Sequence, residues 1–390
     1  MPQQRISLSP DLKQLRDEGY DVEVQFGHVL VKDVPYWTTN KELKRGTLVS
    51  ELTLAGDVTT TPSTHVAMFI GEYPCYKDGS RIAQIENQSA RRELGPNLAI
   101  DHTFSSKPTT GAYKDYYEKM STYATIISSQ TGLTAKTFPV VVPDADEDSV
   151  FQYIDTASSR AGINVVSKKL EIGKVGILGL GGTGSYVLDL VAKTPVREIH
   201  LFDGDRFSQH NAFRSPGAPS IDDLKKQPTK VAFFAELYSR MHRGLVPHEH
   251  YMDASNVNEL AGLAFVFLCL DRGGPKKLVI EKLEELGIPF VDVGMGVQEV
   301  EGSLLGIVRT TTSTPKQRGH VKDKSRISFS DGDENNEYST NIQIADLNAL
   351  NAALAVVKWK KLFGFYVDLE NEHHSTYTID GNMMTNEDQQ

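Results

Sequence analysis

The sequence predicts a doubly wound, Rossmann-like α/β domain preceded by a smaller α+β domain. From Gly173 onward, short apolar segments alternate with amphipathic ones, the order of strands and helices in a parallel sheet. A glycine-rich turn separates the first of these strands from the first helix. The first third of the chain instead combines alternating strand patterns with one aromatic-rich helical pattern. We therefore predict an N-terminal domain over residues 1–135, a linker over 136–150 and the α/β domain over 151–390.

The N-terminal domain contains two short alternating segments typical of half-buried strands, a further strand candidate and one helical segment. In chain order they are strands at 21–25, 28–31 and 65–70 and a helix at 111–130. The tyrosines of the helix fall on overlapping faces, which indicates ordinary core packing. The linker follows from the prolines and acidic residues between 136 and 148.

The α/β domain contains five predicted strands and four predicted helices. The strands are expected at 175–178, 198–203, 263–270, 289–293 and 302–309. The helices are expected from Ser185 and at 229–241, 275–286 and 342–363. The continuous apolar run of 263–270 is typical of a parallel strand covered on both faces. Residues 310–340 are polar and aperiodic, which predicts a crossover loop.

Composition excludes several function classes. The chain of 390 residues carries a net charge of -10, so it has no general attraction for nucleic-acid phosphates. Its longest apolar run, 260–270, is shorter than the roughly 20 residues that cross a bilayer, and the start lacks a secretory signal core. We expect a cytoplasmic protein. Two cysteines cannot build a four-cysteine zinc site, so no zinc is expected.

The clearest motif is the turn that contains Gly179, Gly181, Gly182 and Gly184. Glycines let the backbone approach phosphate oxygens, and the following helix offers free N–H groups at its positive end. An acidic pair, Asp203 and Asp205, follows the next strand, where a carboxylate can bond a ribose hydroxyl. The turn by itself fits NAD, FAD or ATP, and a tight turn without a ligand is the alternative.

Further charged residues favour a nucleoside triphosphate. Arg214, Lys230 and Asp271 all follow predicted strands or open predicted helices, so they can meet at the carboxyl edge of the sheet. Two cations suit the β- and γ-phosphates, and a carboxylate suits Mg²⁺. A hydride-transfer enzyme has no need of this set. For each residue taken alone, the alternative interpretation is a solvated charge on the protein surface.

Together these motifs resemble the ubiquitin-activating (E1)/ThiF-like adenylyltransferase family over roughly residues 170–364. The resemblance implies that the four glycines, Asp203 and Asp205 bind ATP, with Gly182 at the nucleotide and Asp203 at the ribose. It also implies phosphate contacts for a further group of residues: Asn211, Arg214 and Lys230. Asp271 would hold Mg²⁺. The sequence departs from the family in the spacing before Lys230, which leaves Lys226 as an alternative, and in Arg272, where many relatives have Asn.

The resemblance also implies partners. Family members adenylate the C-terminal tail of a ubiquitin-like protein and are typically homodimers. Many insert an arginine from the segment before the first strand into the partner's ATP site, and Arg160 is the matching residue here. An E2-like enzyme would receive the activated protein. A sulfur-carrier adenylyltransferase of cofactor biosynthesis and an inactive E1-like scaffold remain alternatives.

The acceptor of the activated group stays open at this point. Cys75 lies in a predicted exposed turn and is one candidate thiol, whereas Cys269 reads as a core residue of its strand. Hydroxyls of residues 310–314 and direct transfer to another protein are the other options. The N-terminal domain resembles a bacterial domain of unknown function that is fused to such enzymes in ubiquitin-like conjugation operons, some of them linked to antiphage defence.

Overall fold

The computed structural model describes residues 2–140, 142, 148–161, 163–271, 273–329 and 342–389. The chain divides into two compact units. The N-terminal unit consists of Met1–Glu147 and Tyr153–Ala161, and the C-terminal unit consists of Asp148–Gln152 and Gly162–Gln390. Each unit has its own hydrophobic core.

The N-terminal unit is an antiparallel sheet packed against helices. Within its described residues the helices are α1 (Pro2–Leu8), α2 (Pro10–Asp17), α3 (Tyr116–Ser128) and α4 (Thr156–Ala161). The strands are β1 (Asp21–Gln25), β2 (His28–Trp37), β3 (Leu43–Glu51), β4 (Leu54–Ala55), β5 (Val58–Thr59), β6 (Val66–Ile70), β7 (Glu86–Gly95) and β8 (Leu98–Ser105). Six of them form a sheet in the order β1-β2-β3-β6-β8-β7, while β4 and β5 pair with each other. One 3-10 turn, Ala83–Ile85, precedes β7.

Helix α3 shows why the aromatic-rich segment folds as a helix. Asp115 precedes it and accepts a hydrogen bond from the backbone N–H of Glu118 at 2.8 Å, which caps the first turn. Tyr116 and Tyr123 are fully buried, and their hydroxyls donate to backbone carbonyls at 2.9 and 2.7 Å. The tyrosines therefore pack in the core, as predicted, with their polar ends satisfied.

The C-terminal unit is a large mixed sheet covered by helices. Within its described residues the helices are α5 (Asn164–Ser167), α6 (Gly182–Val191), α7 (Gln209–Ala212), α8 (Ile221–Lys226), α9 (Lys230–Ser239), α10 (Gly273–Leu286), α11 (Gly319–Asp323) and α12 (Ala345–Leu362). The strands are β9 (Lys174–Leu178), β10 (Glu198–Phe202), β11 (Leu245–His248), β12 (Phe265–Leu268), β13 (Phe290–Val300), β14 (Ser303–Ser313), β15 (His374–Thr378) and β16 (Met383–Glu387). Two 3-10 turns are Lys168–Leu170 and Val257–Leu260.

The strand order of this sheet is β11-β10-β9-β12-β13-β14-β15-β16. Every pairing from β11 to β13 is parallel, and every pairing from β13 to β16 is antiparallel. Strands β9, β10 and β11 follow one another toward one edge of the sheet. The chain then crosses back, and β12 pairs with β9 on the side opposite β10. This crossover places a crevice at the carboxyl ends of β9, β10 and β12, where open α/β sheets bind ligands.

Side chains of β12 show that both faces of the sheet are covered. Phe265 and Phe267 join the core that contains α6, α9 and α12. Val266 and Leu268 join the core that contains α10 and the 3-10 turn at 257–260. Because successive side chains of a strand point to opposite faces, helices lie on both sides of the sheet. The predicted fold class is therefore confirmed.

The segment after residue 309, which the sequence predicts to be a loop, contains the end of a strand and a short helix. Residues 310–313 continue β14, where all four pair with β13 and residues 310 and 311 also pair with β15, because threonines are β-branched and favour a pleated surface. Part of the same segment forms α11. Residues 330–340 of the predicted loop lie outside the described residues. Among the helices that the structure describes, none is long and apolar enough to cross a membrane.

Candidate functional site

A cavity of about 670 Å³ opens at the carboxyl ends of the central strands of the C-terminal unit. Leu178, Phe202 and Cys269 border it at the ends of β9, β10 and β12. Residues 293–295 of β13 border it on the next strand. Its volume lies within the range of roughly 300–1,000 Å³ that is usual for small-molecule sites.

The glycine-rich turn forms one wall of the cavity. Gly179 has a φ of +89°, and a side chain there would meet the carbonyl oxygen of Cys269 at 2.5 Å. Gly181 precedes α6 without a side-chain cap, so the first backbone N–H groups of the helix keep their capacity to bind a ligand. A Cβ on Gly181 would meet nothing within 4 Å. The turn therefore leaves open space beside the positive end of α6.

Asp203 fastens this turn to the end of β10. The carboxylate is buried, and one oxygen accepts the backbone N–H of Leu180 at 2.7 Å. The other oxygen accepts the backbone N–H of Asp205 at 2.8 Å. These charge-assisted bonds hold both loops in one arrangement, and the Asp203 side chain remains part of the cavity wall.

Lys230 lies on the same wall because α9 begins at this residue. The Thr229 hydroxyl accepts the backbone N–H of Ala232 at 3.0 Å and caps the helix. The buried ammonium group donates to Asp205 at 2.6 Å and lies 3.4 Å from an oxygen of Asp203. The Tyr251 hydroxyl donates to the second oxygen of Asp205. Two carboxylates thus orient one cation at the cavity.

Two buried polar atoms on the cavity wall have unmet hydrogen-bonding capacity. They are Nε of Arg214 and Oδ1 of Asn351, and neither has a hydrogen-bond partner among the residues that the structure describes. The Asn351 amide donates through Nδ2 to the carbonyl of Gly294 at 2.9 Å, which fixes its orientation. Leaving such an atom unsatisfied costs about 1–3 kcal/mol. A polar ligand in the cavity would recover that free energy.

A second buried cation borders the cavity. Lys276, near the start of α10, lies 3.0 Å from a carboxylate oxygen of Asp292, which is fully buried in β13. Arg309 on β14 lies 2.6 Å from the other oxygen of the same carboxylate. Asp292 therefore holds Lys276 in place and is itself neutralised by two cations.

Asp271 is the exposed carboxylate of the site. It follows β12, borders the cavity and has no ion pair among the residues that the structure describes. A carboxylate beside a phosphate-sized space is the donor that Mg²⁺ prefers, because this ion takes one or two protein oxygens plus phosphate oxygens. The donor set therefore fits a nucleotide-bound magnesium ion.

The structure brings most of the sequence-predicted residues together. Those bordering the cavity are Gly179, Gly181, Gly182, Asp203, Asp205, Arg214, Lys230 and Asp271. Gly184 instead packs against the turn, because a Cβ there would lie 1.8 Å from the carbonyl oxygen of Gly179. Asn211 is buried and accepts the backbone N–H of Ser208 at 2.9 Å, which places it in the cap of α7. Lys226 lies on the surface of α8 with its side chain 72% exposed.

The candidate acceptor groups for the activated carboxylate are less exposed than the sequence predicts. Cys75 belongs to the N-terminal unit and is 2% exposed, not part of an exposed turn, and burial raises the pKa of its thiol. Cys269 borders the cavity, and burial raises its pKa as well. Residues 310–313 are buried within β14, whereas Thr314 is half-buried and its hydroxyl accepts the backbone N–H of Gln317 at 3.2 Å. The side chain of Arg160, like the whole of Arg272, lies outside the described part of the chain.

Sequence reasoning missed several residues of the site. Asn348 of α12 is fully buried against the start of α6, where its Oδ1 accepts a hydrogen bond from the Thr183 hydroxyl at 2.9 Å. A Cβ on Gly182 would lie 2.1 Å from the Asn348 side chain, so this glycine is required for close packing. Asn348 and Asn351 are three residues apart in the part of α12 that is otherwise apolar, residues 347–357. That spacing of polar residues on one helical face was the available signal.

Comparisons with known proteins agree with this fold. Residues 10–156 match a domain of unknown function, DUF6791, and residues 152–387 match the ThiF family. No curated protein matches the chain.

Similar solved structures include PaaA in its selenomethionine form, which is 16% identical, with 57% of this chain and 75% of PaaA covered at a TM-score of 0.44. MccB of E. coli with ATP is 18% identical, with 60% and 69% covered at a TM-score of 0.44. The microcin C7 biosynthetic enzyme MccB with N-formylated MccA is 18% identical, with 60% and 70% covered at a TM-score of 0.46. Because the ThiF match spans more than half of the sequence, this chain belongs to the ThiF family.

Proposed function

We propose that this chain is an E1-like adenylyltransferase, which uses ATP and Mg²⁺ to activate the C-terminal carboxylate of a ubiquitin-like protein. The observation that carries the proposal is the convergence of a glycine-rich turn, three cations and one exposed carboxylate on a single cavity. The cations are Arg214, Lys230 and Lys276, and the carboxylate is Asp271. Membership of the ThiF family supports the same reaction class.

The residues present fit a nucleoside triphosphate. The free N–H groups at the start of α6 and the open space at Gly181 suit phosphate oxygens. Asp203 is available to a ribose hydroxyl at the end of β10. The unsatisfied Nε of Arg214 suits an anionic oxygen, and the unsatisfied Oδ1 of Asn351 suits a hydroxyl or amino group. Asp271 would hold Mg²⁺, which supplies charge neutralisation at the phosphates.

The chemistry needs positioning and charge stabilisation more than proton transfer. A chain-terminal carboxyl group has a pKa of about 3.5, so it is ionised at neutral pH and needs no general base. One carboxylate oxygen attacks the α-phosphorus, the bond from that phosphorus to the bridging oxygen breaks, and pyrophosphate leaves with the electron pair. The products are an acyl-adenylate and pyrophosphate. Arg214, Lys230 and Lys276 offset the repulsion between the two anions and the charge of the departing pyrophosphate.

Direct transfer of the acyl-adenylate to another protein is the continuation that we propose. Both thiols of the chain have raised pKa values and little nucleophilic thiolate at neutral pH. The hydroxyls of residues 310–313 are buried in a strand, and the hydroxyl of Thr314 accepts a hydrogen bond from the backbone N–H of Gln317. A nucleophile of an E2-like or target protein would therefore attack the adenylate. The family likeness is also our reason for proposing a homodimer, with Arg160 as the residue exchanged between subunits, and a role in antiphage defence.

Pyrophosphate exchange tests this function. The full-length chain is incubated with ATP, Mg²⁺, labelled pyrophosphate and each member of a panel of bacterial ubiquitin-like proteins. We expect label to enter ATP with one of them and not with the same protein lacking its last residues. Hydroxylamine should trap the activated C-terminus, and Cys75→Ala should leave the trapped yield unchanged. Binding of ATP without exchange for any member would contradict the enzyme and favour the scaffold alternative.

A further inference from the structure

Two histidines and a glutamate, none of them assigned to ATP, converge at the edge of the nucleotide cavity, which His250 borders. His248 ends β11, His250 follows two residues later, and Glu259 lies on the 3-10 turn at 257–260. Nδ1 of His248 lies 3.1 Å from Oε2 of Glu259, and Nε2 of His250 lies 3.2 Å from the same oxygen. One ligand atom from each residue can be chosen so that all three lie within 4.8 Å of one another.

Two of the three separations match a metal-ligand set, and the third is at most 4.8 Å. Zinc bonds of about 2.0–2.1 Å to nitrogen and oxygen in a tetrahedron imply ligand pairs about 3.3 Å apart. The two nitrogen–oxygen distances are already within about 0.2 Å of that value. Glu259 is exposed and both histidines are partly exposed, so solvent can supply a fourth ligand. Two imidazoles and one carboxylate with an open position are typical of zinc-class sites.

The surrounding hydrogen bonds orient the first histidine for this role. Nε2 of His248 lies 3.0 Å from Nδ1 of His200, and Nε2 of His200 lies 2.9 Å from a carboxylate oxygen of Glu198. The Phe202 ring stacks on His248 at 4.1 Å between centroids, which fixes the plane of the imidazole. Metal-bound histidines usually donate their second N–H to such a partner.

With both imidazoles neutral, the chain of contacts from Glu259 to Glu198 leaves a place for one cation, which is either a proton or a metal ion. Three contacts join Glu259, His248, His200 and Glu198, and each needs one hydrogen between its two heavy atoms. Two neutral imidazoles supply only two N–H groups. If His200 donates to Glu198 and His248 donates to His200, a nitrogen lone pair of His248 faces the Glu259 carboxylate. A cation at that point satisfies both.

His250 is compatible with the same cation. Its Nε2 must then offer a lone pair and its Nδ1 must donate, for which the carbonyl oxygen of Tyr251 lies 3.3 Å away. In the metal-free tautomer Nδ1 accepts from the Asn256 amide nitrogen at 3.0 Å. Both arrangements have partners in place, so loading requires a tautomer change and a small movement of side chains.

We propose that His248, His250 and Glu259 form a binding site for a divalent transition metal of the zinc class. The site joins the end of β11 to the 3-10 turn, and the loop between them places His250 itself, together with Tyr251 and Met252, at the wall of the nucleotide cavity. The expectation of no zinc rested on missing cysteine motifs, whereas this site uses histidines that are distant in sequence from Glu259. It does not depend on the adenylation chemistry.

Metal binding to the full-length chain, prepared without a histidine tag and stripped with a chelator, tests the site. Zn²⁺ alone is titrated and the bound metal is counted by elemental analysis. We expect one tight equivalent in the wild type and its loss in the double variant His250→Gln, Glu259→Gln. His200→Gln should weaken it about 10- to 100-fold. Glu249→Gln is the matched control, because Glu249 lies between the two histidines but accepts from the Thr229 hydroxyl at 2.8 Å.

Co²⁺ provides the second readout. A tetrahedral visible spectrum in the wild type and in Glu249→Gln, absent from the double variant, would support the site. Equal Zn²⁺ binding by the wild type and the double variant would overturn the proposal. So would the absence of a tight equivalent in the wild type, since a proton on one imidazole would then complete the chain of contacts.

Discussion

Lys119 of the N-terminal unit and Lys230 of the C-terminal unit are both buried on helices, but their surroundings are opposite. Lys119 of α3 is fully buried, and its ammonium group donates to the Ser50 hydroxyl at 2.8 Å and the Thr64 carbonyl at 2.9 Å, both neutral. Lys230 of α9 instead meets two carboxylates at a cavity wall. Burial against neutral groups lowers the pKa of Lys119 to about 8. Lys119 therefore lies in the buried interior of its unit, whereas Lys230 lies at a cavity wall where an anion can reach it.

One arginine in each unit, Arg91 and Arg214, shows the same difference between a paired and an available cation. A groove of about 730 Å³ in the N-terminal unit is bordered by Arg91 and Asp101, which pair with each other at 3.4 Å on the surface. In the C-terminal unit, Nε of Arg214 is buried and without a hydrogen-bond partner among the described residues. The volumes of the N-terminal groove and the C-terminal cavity are therefore similar and do not show which of them binds a ligand. The difference lies in buried polar groups whose bonding capacity is unused, and these occur at the C-terminal cavity.

The largest expected effect comes from Lys230→Met. It leaves Asp203 and Asp205 without their cation, so the C-terminal unit should lose on the order of 3–5 kcal/mol of unfolding free energy and pyrophosphate exchange should vanish. Lys119→Met removes bonds to neutral groups only, so exchange should persist. Urea unfolding and the exchange assay measure both. Exchange lost in Lys119→Met but kept in Lys230→Met would reverse the assignment of the two units.

The second effect is the pH dependence that Lys119 confers. Its pKa of about 8 in the folded protein is below its ordinary value of 10.5, so between these pH values the unfolded chain binds more protons. The wild type should therefore gain stability relative to Lys119→Met as the pH rises from 8 to 10.5, by about 3 kcal/mol. Below pH 8 the difference should be constant. Unfolding curves at several pH values measure it, and a flat difference throughout would contradict the buried, unpaired charge.

Asp271→Asn sharpens the role of the exposed carboxylate. Because Asp271 is exposed, the thermal midpoint should not change, while exchange should fall on the order of 100-fold through the loss of its metal ligand. Asp57→Asn is the control in the other unit, since Asp57 is also exposed and pairs with Arg5 at 3.5 Å. Full activity of Asp271→Asn would remove this residue from the magnesium site.

Two glycine substitutions separate binding from folding. A Cβ on Gly181 meets open space, so Gly181→Ala should keep its stability but weaken ATP binding about tenfold, because the methyl group occupies space beside the free N–H groups. A Cβ on Gly184 meets backbone at 1.8 Å, so Gly184→Ala should lower the thermal midpoint. Calorimetry with ATP and thermal unfolding distinguish the two. Unchanged ATP affinity in Gly181→Ala would contradict the placement of phosphate at the turn.

Local pattern was sufficient to predict the elements that carry the site. Val175, Gly182 and Asp203 lie in or beside elements whose periodicity and glycines identify strand, turn and helix. Cys75 shows the limit of this reasoning, because the surrounding Gly, Pro and Asp residues are typical of an exposed turn, but tertiary packing buries the thiol. Burial depends on what packs against a segment, which a single sequence does not contain.

The missed residues have the same explanation. Lys276, Asp292 and Arg309 lie on three different elements, and only the order of the strands brings them together. Residues 310–313 are polar enough to resemble a loop, but β13 pairs with all four of them and β15 pairs with residues 310 and 311. The antiparallel extension of the sheet therefore arises from long-range pairing.

The most direct test of the central claim is ATP binding by matched arginine variants of the full-length chain. Isothermal titration with ATP and Mg²⁺ is performed on the wild type, Arg214→Ala and Arg91→Ala. We predict one site in the wild type, an unchanged dissociation constant in Arg91→Ala and at least tenfold weaker binding in Arg214→Ala. Weakened binding in Arg91→Ala with unchanged binding in Arg214→Ala would contradict a nucleotide site in the C-terminal cavity.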